Sequence, residues 1–431
     1  MRYQKIDSKL FVENRKRFVA QMKPNSIAIF HANDMMMRNG DTHFVYRQNS
    51  DLFYLSGLDQ EEVVLVLFPN CPKGKKFEEI IFTKQTNEHI AVWEGYKYTK
   101  EDAAATSGVK SVYWLDEMDS TLNELILLAD NIYVNTNEND RAVSDYATRD
   151  VRKAIELKHQ YVGHNFLRSQ SILKQLRMIK SSLELEVMQT ACDITEKAFR
   201  QVLATTKPGM NEYEVEANVI HQFIANGATG HAYTPIVASG ANACVLHYIA
   251  NDQKLKDGDL MLMDFGAEYG NYAADLSRTI PTNGRFTDRQ KAIYNAVLNV
   301  KNEAQQLLVP GNNLDAYHKE VGKIMTSELI GLGLLDKTAV EQMASEDIHL
   351  YKKYFMHGTS HHLGLDVHDL CHRYVEFEEG MVFTCEPGIY IPAENMGIRL
   401  EDDLVITSNG AKNLMANIPI EVEEIEDLMN Q

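Results

Sequence analysis

The segment that decides the fold runs from residue 260 to residue 275 and reads LMLMDFGAEYGNYAAD. Its apolar beginning, Leu260–Met263, is typical of a buried strand, where a following aspartate is unfavourable unless it has a function. Residues 269–271 have the composition of a hairpin turn. A turn centred between residues 269 and 270 places Asp264 opposite Asp275. Two like charges in that position repel each other unless a cation lies between them.

A second acidic pair, Glu386 and Glu401, repeats this arrangement. Each residue belongs to a segment with strand composition, residues 384–390 and residues 397–406. The two glutamates are 15 positions apart, and an odd separation allows them to face each other across adjacent strands. Two facing carboxylate pairs within strands are not typical of a solvated surface. They indicate a site for cations.

A histidine-rich segment, residues 357–369, lies between Asp275 and Glu386 in the chain. It contains four histidines, at positions 357, 361, 362 and 368. One imidazole with four carboxylates is an oxygen-rich set of ligands, which suits Mn²⁺, Co²⁺, Fe²⁺ or Zn²⁺ better than it suits a structural zinc site of thiolates. Two such ions about 3.5–4 Å apart can activate a water molecule and stabilise the oxyanion of a hydrolysis reaction.

Length and composition indicate a soluble protein of two or three domains. The chain has 431 residues, of which 44% are hydrophobic and 24% are charged, and its formal net charge is −18. The acidic balance argues against nucleic-acid binding, and no segment approaches the ~18 consecutive apolar residues of a membrane span. The polar N-terminus lacks the apolar core of a signal peptide. The five scattered cysteines indicate reduced thiols, so we expect a cytoplasmic protein.

The first part of the chain has the pattern of an α/β domain, for which we predict the bounds 1–178. Apolar runs typical of strands occupy residues 62–68, 79–83 and 131–135, and a helical pattern occupies residues 120–129. The polar stretch from 145 to 179 is interpreted as one long connecting helix.

The second part, residues 179–431, is predicted as a separate domain. Helices are expected at residues 182–206, 211–226, 287–308 and 314–332, and the end of the chain is rich in strand patterns. Helices and strands that alternate in blocks indicate the α+β class.

These features resemble those of the metal-dependent pita-bread peptidases, in particular the Xaa-Pro aminopeptidases (aminopeptidase P). The second half carries five motifs in the family's order, at residues 263–266, 274–279, 357–369, 386–390 and 397–402. The first half is similar to the family's N-terminal domain at residues 46–57. The resemblance covers almost the whole chain. It implies an α+β fold in which a smaller α/β domain precedes a C-terminal pita-bread domain of the creatinase/aminopeptidase type.

The resemblance implies a set of five metal ligands, and each falls on a residue that the strand and histidine patterns had already indicated. Asp264 would bind one metal through both oxygens. Asp275 and Glu401 would bridge the two metals, and His361 and Glu386 would complete the second site. Mn²⁺ is the expected metal, with Co²⁺ or Zn²⁺ as alternatives.

Further residues receive catalytic roles through the same resemblance. Glu386 would accept a proton from the attacking water, which is activated as hydroxide between the two metals, and pass it towards the leaving proline nitrogen. His368 would donate hydrogen bonds to the substrate or the tetrahedral intermediate. His247 would contact the substrate near the leaving proline, and His357 would line the pocket. Arg399 lies two residues before Glu401 on the same strand face, so we expect it to orient Glu401 or a neighbouring aspartate. His362 is expected to point away from the site.

The implied function is the removal of the first residue from peptides with proline at the second position. A prolidase, which accepts only X-Pro dipeptides, shares the fold and metals and is the alternative. Creatinase-like enzymes lack this metal set, and methionine aminopeptidases usually lack so large an N-terminal domain. A non-catalytic binding module would have lost ligands. A homo-oligomer, dimer or tetramer, is expected as in the family, with peptides as the other partners.

Overall fold

The computed structural model describes residues 2–136, 138–139, 141, 144–343 and 349–431. These residues form two compact units, Tyr3–Arg177 and Met178–Gln431, which we call the N-terminal unit and the C-terminal unit. None of the described helices has both the length and the apolar character needed to traverse a lipid bilayer. All five cysteines are free thiols.

The N-terminal unit is built on a mixed sheet. Its strands are β1 (Ser26–His31), β2 (Met37–Asn39), β3 (Thr42–His43), β4 (Val63–Leu67), β5 (Glu79–Thr83), β6 (Ser111–Trp114), β7 (Asn131–Val134) and β8 (Asn165–Arg168). Six of them form one sheet in the order β6-β5-β4-β1-β7-β8, and β2 and β3 form a separate hairpin. Every residue of β1 and β4 is buried, as expected for central strands that are covered on both faces.

The helices of the N-terminal unit connect or cover these strands. They are α1 (Ser8–Val19), α2 (Ser50–Ser56), α3 (Glu88–Glu94), α4 (Lys100–Ser107), α5 (Met118–Ile126), α6 (Arg149–Gln160) and α7 (Gln170–Met178), with short 3₁₀ turns at Lys75–Phe77 and Leu115–Glu117. Leu125 and Ile126 of α5 pack into an apolar core with Ile29 and Ile132 of the sheet. The predicted strands at 62–68, 79–83 and 131–135 and the helix at 120–129 are confirmed.

The predicted long connecting helix is wrong. The stretch contains two helices, α6 and α7, which are separated by β8. The helix α6 ends at Gln160, and a turn follows in which the backbone N–H of His164 donates to Tyr161 O at 3.1 Å. Residues 165–168 then pair in parallel with β7. Because β8 is a short edge strand whose residues are all partly or fully exposed, it carries no apolar run by which the sequence would have revealed it.

The first four helices of the C-terminal unit match the predicted helices closely, and two further helices, Lys337–Met343 and Val422–Met429, were not predicted. They are α8 (Ser182–Thr205), α9 (Glu212–Ala225), α10 (Asp288–Leu307), α11 (Leu314–Gly331), α12 (Lys337–Met343) and α13 (Val422–Met429), and 3₁₀ turns lie at Gly240–Cys244, Leu350–Lys353 and Pro392–Glu394. Ser181 and Glu184 form a capping box at the start of α8, and Thr287 and Gln290 do the same for α10. Each box satisfies backbone N–H groups that have no partner within the helix.

The strands of the C-terminal unit are short and belong to several small sheets. They are β9 (Gly230–His231), β10 (Ile236–Ser239), β11 (Leu260–Asp264), β12 (Ala267–Tyr269), β13 (Tyr272–Ala273), β14 (Ser277–Pro281), β15 (Val382–Cys385), β16 (Gly388–Ile391), β17 (Met396–Arg399), β18 (Asp402–Thr407) and β19 (Gly410–Asn413). The sheets have the orders β10-β11-β14, β13-β12-β9, β15-β18-β19 and β16-β17. Two long hairpins, residues 260–281 and 382–407, account for most of these pairings.

Candidate metal centre

The first acidic pair lies in the hairpin 260–281, but its register differs from the predicted one. Asp264 pairs with Ser277, and not with Asp275. The turn consists of Gly270 and Asn271, both with positive φ, at +56° and +65°, so it lies one residue later than predicted. Positive φ at both central residues is the geometry of a type I′ hairpin turn. A shift of pairing by two residues keeps side chains on the same face, because the side-chain period of a strand is two.

Close contact between the strands of this hairpin requires a glycine. Gly266 lies opposite Asp275 in the observed register, and a Cβ atom at Gly266 would be 1.6 Å from Ala274 O. The backbone N–H of Asp275 donates to Oδ2 of Asp403 at 3.0 Å. The backbone that carries Asp275 is therefore fixed on both sides.

A residue that the sequence did not indicate connects the first pair. The hydroxyl of Tyr233 is 2.6 Å from Oδ1 of Asp264 and also contacts Oδ1 of Asp275. A single tyrosine before Thr234-Pro235 stands in no periodic pattern, so no sequence signal identifies it. The two aspartates are therefore brought to one point even though they are not cross-strand partners.

The second acidic pair has the predicted placement. Pairs continue from Cys385–Asp402 on one side to Gly388–Arg399 on the other, and this register leaves Glu386 opposite Glu401. Glu401 is buried, and it connects the two hairpins because its backbone N–H donates to Ser277 O at 3.0 Å. The hydroxyl of Ser277 donates in turn to Oε2 of Glu401 at 2.7 Å.

His361 lies between the two acidic pairs. Its Nδ1 is 3.0 Å from the carbonyl oxygen of His362, which can only accept, so Nδ1 carries the hydrogen and Nε2 has the lone pair. Nε2 is 3.4 Å from Oδ2 of Asp275 and 3.7 Å from Oε1 of Glu386. Ligand atoms of Asp275, His361 and Glu401 all lie within 4.8 Å of one another. This is the geometry by which one cation could contact three side chains.

Burial and mutual proximity raise the pKa values of three carboxyl groups at the centre. Burial, followed by the neighbouring carboxylates, raises the pKa of Asp275 and of Glu401 well above the ordinary values. Burial also raises the pKa of Glu386 to about 7, although His361 and Arg399 act in the opposite direction. Without a cation these carboxyl groups favour the protonated form, whereas a bound cation would favour the ionised form.

The side chain of Arg399 places a positive charge at this centre. It is buried, and its Nη2 is 2.6 Å from Oδ2 of Asp264. Its Nε donates to the hydroxyl of Ser277 at 2.8 Å and its Nη1 to the hydroxyl of Tyr390 at 3.0 Å. The predicted orientation of a carboxylate by Arg399 therefore has a geometric counterpart, and the carboxylate is Asp264.

The remaining histidines differ in their distance from the centre. The ring of His368 lies edge-on to that of His361, with ring centroids 4.4 Å apart. Nε2 of His357 is 2.7 Å from the hydroxyl of Tyr390, and its Nδ1 is 3.6 Å from Oε2 of Glu386. Burial, with a smaller effect of Arg399, lowers the pKa of His357 to about 3, so the ring is neutral at physiological pH.

His247 and His362 lie outside this inner group. His247 is exposed, and its nearness to His357 adds slightly to the lowering of that pKa. His362 is buried, and its ring packs on Phe383 with centroids 4.1 Å apart. Its direction away from the centre agrees with the expectation from its place next to His361.

Comparison with known proteins gives two family matches. A family described as metallopeptidase family M24 matches residues 186–408, and one described as aminopeptidase P, N-terminal domain, matches residues 11–133. The chain belongs to metallopeptidase family M24. Its fold is thus the predicted one, with an aminopeptidase P N-terminal domain ahead of an M24 pita-bread domain, and it is a metallopeptidase.

Relatives of this M24 chain extend over nearly its whole length. The Xaa-Pro aminopeptidase of Escherichia coli is 35% identical, with 98% of each chain covered. The Xaa-Pro dipeptidase of Rattus norvegicus is 31% identical, with 99% of this chain and 94% of the relative covered. A solved structure of zinc-substituted E. coli aminopeptidase P in complex with product is 34% identical, has a TM-score of 0.88 and covers 99% of both chains.

Proposed function

We propose that this M24 metallopeptidase is an Xaa-Pro aminopeptidase, which releases the first residue from peptides with proline at the second position. The observation that carries the proposal is the centre that contains Asp264, Asp275, His361, Glu386 and Glu401, of which Asp275 and Glu401 are buried and the other three are partly buried. Proline makes the preceding peptide bond a poor substrate for ordinary peptidases, because its nitrogen is tertiary and its ring restricts the residue before it. A dedicated site is therefore needed.

The five side chains of the centre fit a pair of divalent cations. Four carboxylates and one imidazole form a hard, oxygen-rich donor set, and the pKa values of Asp275, Glu386 and Glu401 are raised by burial and, to a smaller extent, by the neighbouring carboxylates. We propose Mn²⁺ as the metal and keep Co²⁺ and Zn²⁺ as alternatives, since the same donors accept all three. When bound, the metal pair supplies an activated water and a Lewis acid for the substrate carbonyl.

The chain's own residues would handle the protons and orient the groups. Glu386 would take a proton from the attacking water and return it to the proline nitrogen. A carboxylate is suited to both steps, because it can accept a proton and then return it. His368, beside His361, would donate a hydrogen bond to the oxyanion, and neutral His357 would line the pocket. Arg399 would hold Asp264, and His247 would contact the substrate from the exposed side.

A second candidate function is that of a prolidase, limited to X-Pro dipeptides, and the similarity to the rat dipeptidase favours including it. The test is hydrolysis of Ala-Pro, Ala-Pro-Ala and the control Ala-Ala-Ala by chelated protein and after Mn²⁺ is restored. Cleavage of Ala-Pro-Ala before the proline, only with metal, is the expected result. Cleavage of Ala-Pro alone identifies a prolidase, and no cleavage with any of the three metals contradicts the proposal.

We further propose that the two units act as the two domains predicted from sequence, and that the enzyme is a cytoplasmic homo-oligomer. The five free thiols support a reducing compartment. The helix α3 supports an oligomer, because none of its 7 residues, all of them described, is buried. Its Val92 and Trp93 are 78% and 80% exposed, which is unusual for a helix that has no partner.

A further inference from the structure

Glu212, at the first position of α9, is a completely buried carboxylate in the C-terminal unit, with 0% exposure. Five hydrogen-bond donors converge on it. Oε1 accepts from the N–H and the hydroxyl of Ser239, each at 2.7 Å, and from Nδ2 of Asn242 at 3.3 Å. Oε2 accepts from the hydroxyl of Tyr248 at 2.8 Å and the N–H of Gln253 at 3.0 Å. Both oxygens of the Glu212 side chain are therefore used as hydrogen-bond acceptors.

All five donors belong to one stretch of chain, residues 239–253, which we call the His247 segment. Glu212 contacts its beginning, its end and Tyr248, the residue next to His247. A single side chain on a helix thus closes the segment into a loop of fixed shape. The main chain of the segment depends on this carboxylate for the hydrogen bonds of two backbone N–H groups, those of Ser239 and Gln253.

The side chains of the His247 segment alternate between two faces. Leu246 and Tyr248 pack on an apolar cluster formed by Ile236, Ala238, Ala243, Leu262 and Tyr390. Val245 and Ile249 are 55% and 58% exposed, and His247 between them is also exposed. The direction of His247 is therefore set by the inward packing of its two neighbours in sequence.

The apolar cluster connects this segment to the metal centre. Tyr390, one of its members, has its hydroxyl within hydrogen-bonding distance of His357 and of Arg399. From the other side, β17 approaches the segment so closely that a Cβ atom at Gly397 would be 2.2 Å from Ala243 O. The segment is thus held between α9 and β17.

We propose that Glu212 is a positioning residue that holds His247 in place at the substrate by fixing the His247 segment. The inference rests on the proposed function, since it is there that His247 contacts substrate. The substitution Glu212→Gln distinguishes this hydrogen-bonding role from a role in packing alone, because an amide has one acceptor oxygen and its NH₂ group can only donate. Whichever way the amide turns, the N–H of Ser239 or that of Gln253 loses its acceptor.

The test compares Glu212→Gln with Glu214→Gln, a matched control in the same turn of α9. Glu214 forms a capping box with Asn211, which glutamine can also form. We expect Glu212→Gln to lower kcat/KM for Ala-Pro-Ala by about tenfold or more, with bound metal unchanged. We also expect faster amide hydrogen exchange across residues 239–253. Glu214→Gln should change neither quantity.

A double-mutant cycle with His247→Ala separates positioning from a general effect on the fold. If Glu212 acts through His247, adding Glu212→Gln to the His247→Ala enzyme should lower kcat/KM by less than about a further twofold. Additive losses, or a Glu212→Gln enzyme with the parent's kcat/KM, overturn the inference.

Two further comparisons cover a variant that does not fold and a parent enzyme that is inactive. If Glu212→Gln does not fold, Tyr248→Phe, which removes one of the five bonds, should show the same non-additivity with His247→Ala, and additivity there overturns the inference as well. A parent enzyme that leaves Ala-Pro-Ala intact overturns the proposed function itself, and with it the role for His247. An active parent whose variants behave additively overturns only the role of Glu212.

Discussion

Arg399 shows at the scale of a single residue how the two hairpins are combined into one centre. Its guanidinium group reaches Asp264 in one hairpin and Tyr390 in the other, and it donates to the hydroxyl of Ser277, which also donates to Glu401. Three donor nitrogens in a plane are needed for these contacts. A lysine could supply the charge but not this fork of donors.

Replacing Arg399 with lysine is therefore expected to lower kcat/KM by about 10- to 100-fold, which corresponds to the loss of one or two charge-assisted hydrogen bonds. Steady-state kinetics on Ala-Pro-Ala measure the effect, with metal content determined alongside. Arg289→Lys is a matched control, because Arg289 forms an ion pair with Glu394 in which both side chains are solvent-exposed, 40% and 32%. Equal kcat/KM for the Arg399→Lys enzyme and the parent would contradict this account.

The raised pKa of Glu386 predicts that the stability of the metal-free protein depends on pH. Its pKa is raised from 4.5 to about 7, so the folded chain binds this proton more tightly than the unfolded chain does. Stability should therefore fall as pH rises from about 4.5 to 7 and then level off. Thermal unfolding of chelated protein at a series of pH values measures this.

A Glu386→Gln variant provides the control for that experiment, because it cannot titrate at this position. Its chelated form should lose part of the decline with pH that the parent shows. A decline of the same size in both proteins would mean that other groups are responsible. Bound metal should abolish the dependence in the parent, since a cation favours the ionised carboxylate.

At the scale of elements, the hairpin 260–281 depends on Gly266. A methyl group there would collide with Ala274 O, and the strands could not keep the register that pairs Asp264 with Ser277. We expect Gly266→Ala to cost about 3 kcal/mol or more of stability and to weaken metal binding. Gly331→Ala, at the end of α11 and with nothing within 4 Å of the added atom, should be neutral or slightly stabilising, because alanine favours a helix more than glycine does. Thermal unfolding of both variants measures the difference. A Gly266→Ala protein as stable as Gly331→Ala would show that the hairpin tolerates a wider spacing.

The same hairpin shows how far sequence patterns determine an element. The apolar run before Asp264 and the turn composition at 269–271 correctly predicted a hairpin with both aspartates on one face. They did not determine which two residues form the turn, because Tyr269-Gly270 and Gly270-Asn271 are both acceptable turn pairs. The positive φ of Asn271 is a conformation that asparagine tolerates better than most residues. The prediction survived because an error of two in pairing preserves the face.

In the second hairpin, the odd separation of Glu386 and Glu401 allowed them to face each other, and the observed register places them opposite each other. The elements that sequence missed carry weak patterns. β8 is an edge strand with exposed residues. Tyr233 contacts Asp264 and Asp275 only because the chain returns to the hairpin from 31 positions before Asp264, and such a contact between distant segments leaves no periodic signal.

At the scale of the whole molecule, α3 predicts self-association. In a monomer the apolar side chains of Val92 and Trp93 remain in contact with water, which is unfavourable. The mass measured by light scattering should therefore be a multiple of the chain mass, 49.0 kDa. The substitution Trp93→Glu should lower this mass. Tyr374→Glu, which changes an equally exposed aromatic residue of the C-terminal unit, 84% exposed, should not. A parent protein that is monomeric at micromolar concentration would contradict the proposed oligomer.

The arrangement of the whole chain was the part that sequence predicted best. Long helices with caps, such as α8 and α10, follow a strong 3.6-residue pattern, and the ordered motifs of the second half identified the family. What sequence could not supply is the network of contacts around the ligands and around His247. Glu212, Tyr233 and Ser277 act through contacts with residues far away in the chain, and their residue types are common elsewhere in the sequence.

The measurement that tests the central claim most directly is a titration of chelated protein with Mn²⁺. Bound metal per chain and the rate of Ala-Pro-Ala cleavage are followed in the same samples, for the parent and for Asp275→Asn, which removes one carboxylate of the centre. The account predicts no cleavage without metal, a rate that rises with bound metal and reaches its plateau at two ions per chain, and neither full binding nor recovery for Asp275→Asn. Undiminished cleavage by the metal-free parent, or full activity of Asp275→Asn, would contradict it.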